Sequence, residues 1–148
     1  MENKSRWHSQ VRWAECDAAG IIYHARVFDW FSEARIQWLR DHDMDYYDVW
    51  RPHGLEMLVK VADAHFHHSL RPGDVIDLDV ELAWITPTRA SFCYRVLAPH
   101  NPTLAAIEGH TEHSFVVDGR AKRLDRVFPE LFREFQRCVG ESIDKGMF

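Results

Sequence analysis

The sequence predicts an α+β fold in which a curved antiparallel β-sheet wraps around one long central helix. Three observations carry that reading. One segment, Val27–Asp41, repeats apolar residues at helical spacing. Downstream of it, runs of alternating apolar and polar residues follow one another, each of strand length. Turn signals, RPGD at Arg71–Asp74 and the pair Asp118-Gly119, separate these runs where the chain must reverse. A helix laid on one side of a curved antiparallel sheet satisfies both amphipathic patterns at once.

Taken in order, Arg6–Glu15 alternates loosely through Trp7, Val11 and Trp13 and reads as a first strand. In Val27–Asp41 the residues Val27, Phe31, Ala34 and Trp38 form one apolar stripe, with Glu33, Arg35 and Arg40 off it. The stretch DMDYYDVWRPHG, closing on Pro52 and Gly54, reads as irregular. Leu55–Leu70 has the look of a long strand, ended by the RPGD turn. Val75–Ile85 alternates cleanly, with Ile76, Leu78, Val80, Leu82 and Trp84 on one face and Asp77, Asp79 and Glu81 on the other. TPTR breaks that strand. Ala90–Leu97 resumes the alternation through Phe92, Tyr94 and Val96, and APHNPT turns the chain again. Leu104–Asp118 forms the last long strand, and Pro129–Cys138 a short terminal helix with Pro129 near its start. A sheet of this kind leaves edges and a face in need of cover, so a homodimer or homotetramer is expected.

Composition narrows the functional classes. The 148 residues fit a single domain spanning 1–148, with the apolar content of 46% and charged content of 28% usual for a globular protein. A formal charge of −5 argues against a general nucleic-acid binder but leaves room for a local basic patch. The start, MENKSRWHSQ, has no apolar core of the signal-peptide kind, and no apolar run reaches the roughly 20 residues of a membrane span. Cys16, Cys93 and Cys138 lack zinc-type spacing. A reduced, cytoplasmic protein without membrane or nucleic-acid partners is expected. His65, His67, His68, His110 and His113 share strand faces, yet no Cys or Glu completes a zinc pattern, so they read as pocket or interface histidines and no metal is expected.

Between the first strand and the helix lies ECDAAGIIYHAR, Glu15–Arg26. An Asp just ahead of a helix N-terminus can serve a turn, a cap or a reaction. This segment with the helix after it, ECDAAGIIYHARVFDWFSEAR, resembles the signature of hotdog-fold acyl-CoA thioesterases of the 4-hydroxybenzoyl-CoA thioesterase branch. HFHHSLRPGDVIDLDVELAWI and EGHTEHSFVVDGRAKRL resemble the later strands and basic exit of the same family, so the likeness spans about residues 7–128.

The resemblance implies hydrolysis of an aryl- or short-chain acyl-CoA to free acid and CoA, with no cofactor beyond the CoA that the substrate carries. Asp17 is then the nucleophile or the general base. Gly20 allows close backbone approach. The N–H of Tyr23 or of His24, at the positive end of the helix, polarises the thioester carbonyl. Arg89 and the cluster Arg120, Lys122 and Arg123 are implied contacts for the CoA phosphates, in sites built across a subunit interface. The acidic residue with which this branch receives a 4-hydroxyl group falls here at Ser32, so strong selection for that hydroxyl is not expected from this position. Two other readings share the fold: an acyl-carrier-protein thioesterase, and a non-catalytic acyl-CoA-binding module.

Overall fold

The computed structural model describes residues 3–144, with side chains as far as Gly140; Met1, Glu2 and residues 145–148 of the expected domain lie outside the described residues. The strands are β1 (Lys4–Gln10), β2 (Leu55–Phe66), β3 (Val75–Ile85), β4 (Arg89–Ala98), β5 (Asn101–Val117) and the short β6 (Arg120–Ala121). The helices are α1 (Val27–Asp41), α2 (Leu124–Val127) and α3 (Pro129–Asp144). All pairings are antiparallel, in the order β1-β3-β4-β5-β2, with β6 folded back on β5. A curved sheet around a long helix is therefore what the chain forms.

Alternation decides which face is which. Ile76, Leu78 and Val80 of β3, Phe92 of β4, and Ile107 and Phe115 of β5 are fully buried against the helices. The helix α1 meets them with Val27, Phe31, Ala34 and Trp38, the stripe read from the sequence. Phe31 stacks on Tyr94 at 4.1 Å between ring centroids, and Trp38 packs edge-on against Phe92. Helix α3 adds Leu131, Phe135 and Cys138, with Phe135 stacked on Trp38. The opposite face carries ion pairs, among them Arg6 with Asp79 at 2.7 Å and His110 with Asp63 at 2.7 Å.

Several boundaries differ from expectation. The first strand stops at Gln10 rather than Glu15. The Arg12 N–H donates to the Glu15 carboxylate at 2.9 Å and wraps Trp13–Glu15 into a 3-10 turn, which leaves Trp13 largely exposed. The segment expected to be irregular holds a π turn at Tyr46–Trp50, where the Asp45 carboxylate accepts from the N–H groups of Tyr47 and Asp48. β2 ends at Phe66, four residues short of the expected strand, and β5 begins at Asn101. The terminal helix runs to Asp144, well past Cys138.

β2 is an edge strand, hydrogen-bonded on one side by β5 alone among the described residues. It also exposes Leu58, Val59, Val61 and Phe66, apolar side chains that an edge facing water would not select.

Candidate active site

The segment ahead of α1 is a compact loop held at both ends. An isolated bridge joins Cys16 to Ile22, and the Ile22 N–H donates to the Leu70 carbonyl at 2.8 Å, tying the loop to the chain beyond β2. At its tip the Asp17 carboxylate accepts the Ala19 N–H at 2.9 Å, an Asx-turn, and Gly20 takes φ +76° with nothing near its Cα hydrogens. That left-handed conformation is the one a glycine adopts without strain. Turn chemistry uses one oxygen of Asp17 and leaves the other without a partner among the described residues. Beneath the loop sits Glu15, buried, its carboxylate accepting Trp30 Nε1–H at 2.7 Å as well as the Arg12 N–H. Burial pulls the Glu15 pKa upward, but the bonds from Arg12 and Trp30 outweigh it and leave the carboxyl below its usual range.

A cleft of about 260 Å³ opens at this point, lined by Asp17, Ile21, Ile22, His24 and the stretch Phe66–Ser69. Asp17 and His24 thus face one space, as their spacing ahead of the helix predicts. The Tyr23 N–H is already donated to the Glu15 carbonyl at 2.8 Å, whereas that of His24 has no acceptor among the described residues. Of the two N–H groups expected here, that of His24 is the one left without an acceptor. Unpaired N–H groups at a helix start, backed by the helix dipole, favour negative charge. Phe66, His67, His68 and Ser69 are brought to the cleft by tertiary folding; the sequence marks His67 and His68 only as pocket or interface histidines.

The remaining expected site residues fall in two other places. Ser32, on α1, is absent from the cleft lining; its hydroxyl donates to the Phe28 carbonyl at 3.1 Å and accepts from Arg35 at 3.2 Å. The basic residues do gather. The Leu124 N–H donates to the Pro87 carbonyl at 2.7 Å, and the Lys122 N–H to that of Phe115 at 2.9 Å, so Arg120–Arg123 lies beside the start of β4 and Arg89. Arg89 pairs with Glu112 at 3.6 Å and Arg123 with Asp125 at 2.8 Å, while Arg120 and Lys122 are exposed.

The strand register separates this patch from the cleft. Phe66 lies opposite Ile107 on β5, and Arg89 opposite Ser114. Seven residues of strand part them, on the order of 23 Å. Among the described residues, no group of three or more His, Cys, Asp or Glu side chains is placed to hold a metal ion, and no helix is long and apolar enough to cross a membrane.

Comparison with known proteins agrees with this architecture. The sequence model of the Thioesterase-like superfamily matches residues 11–135. An acyl-CoA thioester hydrolase of Escherichia coli, YbgC, is 23% identical over 103 residues, covering 70% of this chain and 76% of its own. The solved structure of a DHNA-CoA thioesterase from Staphylococcus aureus superposes with a TM-score of 0.87 at 22% identity, covering 98% of this chain and 96% of the other. A hypothetical protein from Aquifex aeolicus superposes with a TM-score of 0.77 at 26% identity, over 86% of this chain and 98% of that one. The sheet wrapped around α1 is the hotdog fold of these thioesterases.

Proposed function

The chain belongs to the thioesterase-like superfamily and is a thioester hydrolase; from that premise we propose that it cleaves an acyl-CoA in the cleft at Asp17. The observation that carries this reading is the shared lining: a carboxylate with one oxygen uncommitted among the described residues, and the N–H of His24, likewise unpaired among them, at the start of the 3-10 turn His24–Arg26 that leads into α1. A thioester carbonyl seated between them is polarised by the His24 N–H, which also takes the negative charge that develops on its oxygen. Asp17 then attacks the carbonyl carbon, or draws a proton from a water that does. In the first route the C–S bond breaks to leave a mixed anhydride between the acyl group and Asp17, which a water then hydrolyses, regenerating the carboxylate. In the second the water adds to the carbonyl carbon and the adduct expels the thiolate. In both the thiolate is protonated and a free acid is released.

The CoA portion is proposed to run over Arg89, Arg120, Lys122 and Arg123. Since these lie roughly 23 Å from the cleft of their own chain, the phosphates are met by the basic patch of a second copy. Pairing of two β2 edges about a two-fold axis supplies that arrangement. It covers Leu58, Val59 and Val61, and it brings the Leu55 end of one β2, next to Lys122, toward the Phe66 end of the other. The neighbour's name adds a substrate class: DHNA-CoA is a 1,4-dihydroxy-2-naphthoyl ester, and an aryl acyl group suits a cleft walled by Phe66, Ile21 and Ile22.

The test is Asp17→Asn. Turnover of aryl-CoA esters should fall by about 10³ or more with the fold intact. Activity within a few-fold of the parent would remove Asp17 from the chemistry. Single turnover in ¹⁸O-water then separates the two routes, because only direct attack leaves label in the Asp17 carboxylate.

A further inference from the structure

The face of the sheet turned away from α1 carries a line of charge that the cleft does not use. It starts at Arg89 of β4, whose guanidinium stands 3.6 Å from Glu112 Oε1. The other oxygen of Glu112 lies 3.2 Å from His110 Nε2. His110 Nδ1 in turn lies 2.7 Å from Asp63 Oδ2 on β2, and the His110 backbone N–H donates to Asp63 Oδ1 at 3.0 Å.

Both ring nitrogens of His110 therefore face carboxylate oxygens, which only accept. A neutral imidazole has one N–H and one lone pair, and its lone pair would meet an anion here; the imidazolium donates from both nitrogens. The geometry is that of a charged His110. Burial pulls its pKa down, but the bonds to Asp63 and Glu112 outweigh it and hold it above 6.5.

The neighbours leave Glu112 as the group that responds. Asp63 is held by both the ring and the backbone N–H, and His65 approaches it at 4.0 Å. Glu108, two residues back on β5, is paired with Arg95 at 3.4 Å and His67 at 3.6 Å. Cys93 of β4 stands opposite His110, with Glu81 of β3 opposite Cys93 in turn. Burial first, then Glu81 and Asp63, pushes that thiol up to about 11, so it stays neutral. Glu112 divides its two oxygens between His110 and Arg89. When His110 loses a proton, the remaining N–H stays with Asp63 and the lone pair on Nε2 repels Glu112. The Glu112 charge then falls to Arg89. At 3.6 Å that pair is too long for a hydrogen bond and has room to close.

We propose that His110 is a positioning residue for the CoA phosphates: protonated, it holds Glu112 and leaves Arg89 open to a phosphate, and neutral, it releases Glu112 onto Arg89, so that binding weakens as pH rises. The proposal rests on the reading of Arg89 as a phosphate contact. Arg89, Glu112, His110 and Asp63 lie in one sheet, so it needs nothing from a second copy.

The experiment measures Kd by calorimetry for S-methyl-CoA, a thioether that cannot be hydrolysed and has no thiol to titrate. A phosphate monoester loses its second proton near pH 6, so from about pH 6.5 to 9 the ligand keeps a nearly constant charge. Over that range the Kd of the parent should rise by about two- to fivefold, the span of a partly exposed ion pair. His110→Gln should bind at the weak, alkaline level of the parent at every pH, and Glu112→Gln at the tight, acid level or below it. A merely structural His110 would shift Kd equally at all pH values and leave the slope. A parent with constant Kd, or a variant that keeps the parent's slope, would overturn the proposal.

A measurement on the parent alone covers variants that fold poorly. A ligand that favours charged His110 must, by reciprocity, raise the midpoint of its ring titration, followed by NMR, by the same factor on saturation. A midpoint that stays in place sinks the idea. If S-methyl-CoA does not bind to the parent, the phosphate reading of Arg89 falls and this inference with it. Hydrolysis of benzoyl-pantetheine, which lacks the phosphates, shows separately whether the thioesterase reading stands.

Discussion

Glu15 shows how much a site depends on a residue that never touches the reaction. Its carboxylate holds Arg12 and Trp30 Nε1, and its carbonyl holds the Tyr23 N–H, so one residue fixes the floor of the Asp17 loop while the His24 N–H keeps no acceptor among the described residues. Glu15→Gln exchanges an acceptor-only carboxylate for an amide, which weakens the charge-assisted bonds and should cost roughly 1–3 kcal/mol of stability. The pH window is set by the sign of the shift. A carboxyl with a depressed folded pKa contributes stability above its unfolded value, 4.5, and loses it as pH falls through the lower folded value. His113 acts in a different window. It is fully buried, and burial first, then the charges of Arg35 and Arg89, lower its pKa from 6.5 to about 3. Between those limits only the unfolded chain takes up the proton, so stability falls on acidification by about 1.4 kcal/mol per pH unit. Denaturant titrations across pH should show the steep loss below 6.5 flattened in His113→Gln but kept in Glu15→Gln. Parallel curves for all three proteins would show that neither group is held as described.

At the scale of elements, the clearest constraint is the contact of α1 with β5. A Cβ built on Gly109 would lie 2.3 Å from the Asp63 carbonyl oxygen on β2 and 2.8 Å from the Phe31 ring on α1. Backbone on one side and a buried ring on the other leave little room to relax. Gly109→Ala should therefore destabilise by about 1–3 kcal/mol, at the upper end of that overpacking range. A denaturation midpoint equal to the parent's would mean that the strand can slide away. Contacts of this kind, between elements far apart in the chain, mark the limit of what the sequence alone can say. α1, β4 and β3 as far as Leu82 are legible because their periods of 3.6 and 2 hold; the sequence continues the alternation to Trp84, but a register shift after Leu82 leaves that side chain exposed rather than in the core. Trp13 misleads, since its two-residue spacing from Val11 continues a strand pattern that the Glu15 cap breaks. The π turn at Tyr46–Trp50 is hidden by the punctuation of Pro52 and Gly54. In the site, Asp17, Gly20 and His24 are local neighbours and can be found together. The Phe66–Ser69 wall is assembled by strand order, and no local spacing records it.

For the whole molecule, charge and shape lead to one arrangement. A chain with a formal charge of −5 concentrates Arg89, Arg120, Lys122 and Arg123 at one end of its sheet, where an anionic ligand can be met, and keeps its carboxylate-bearing cleft at the other. The distance between the two ends has a genetic consequence. Two crippled chains, one Asp17→Asn and the other Arg120→Ala with Lys122→Ala, should rescue each other when allowed to exchange partners. A mixed pair rebuilds one complete site from the sound halves of both, while its second site inherits both defects. With free exchange of equal amounts, half the pairs are mixed, so about a quarter of all sites regain full function. Assayed well below KM, the exchanged mixture should rise above the mean of its two components. If it stays at that mean, each chain completes its site alone. With the site shared between two copies, two alleles that each fail by themselves should complement in one cell only when the lesions fall at opposite ends of the sheet, and never when both strike the same end.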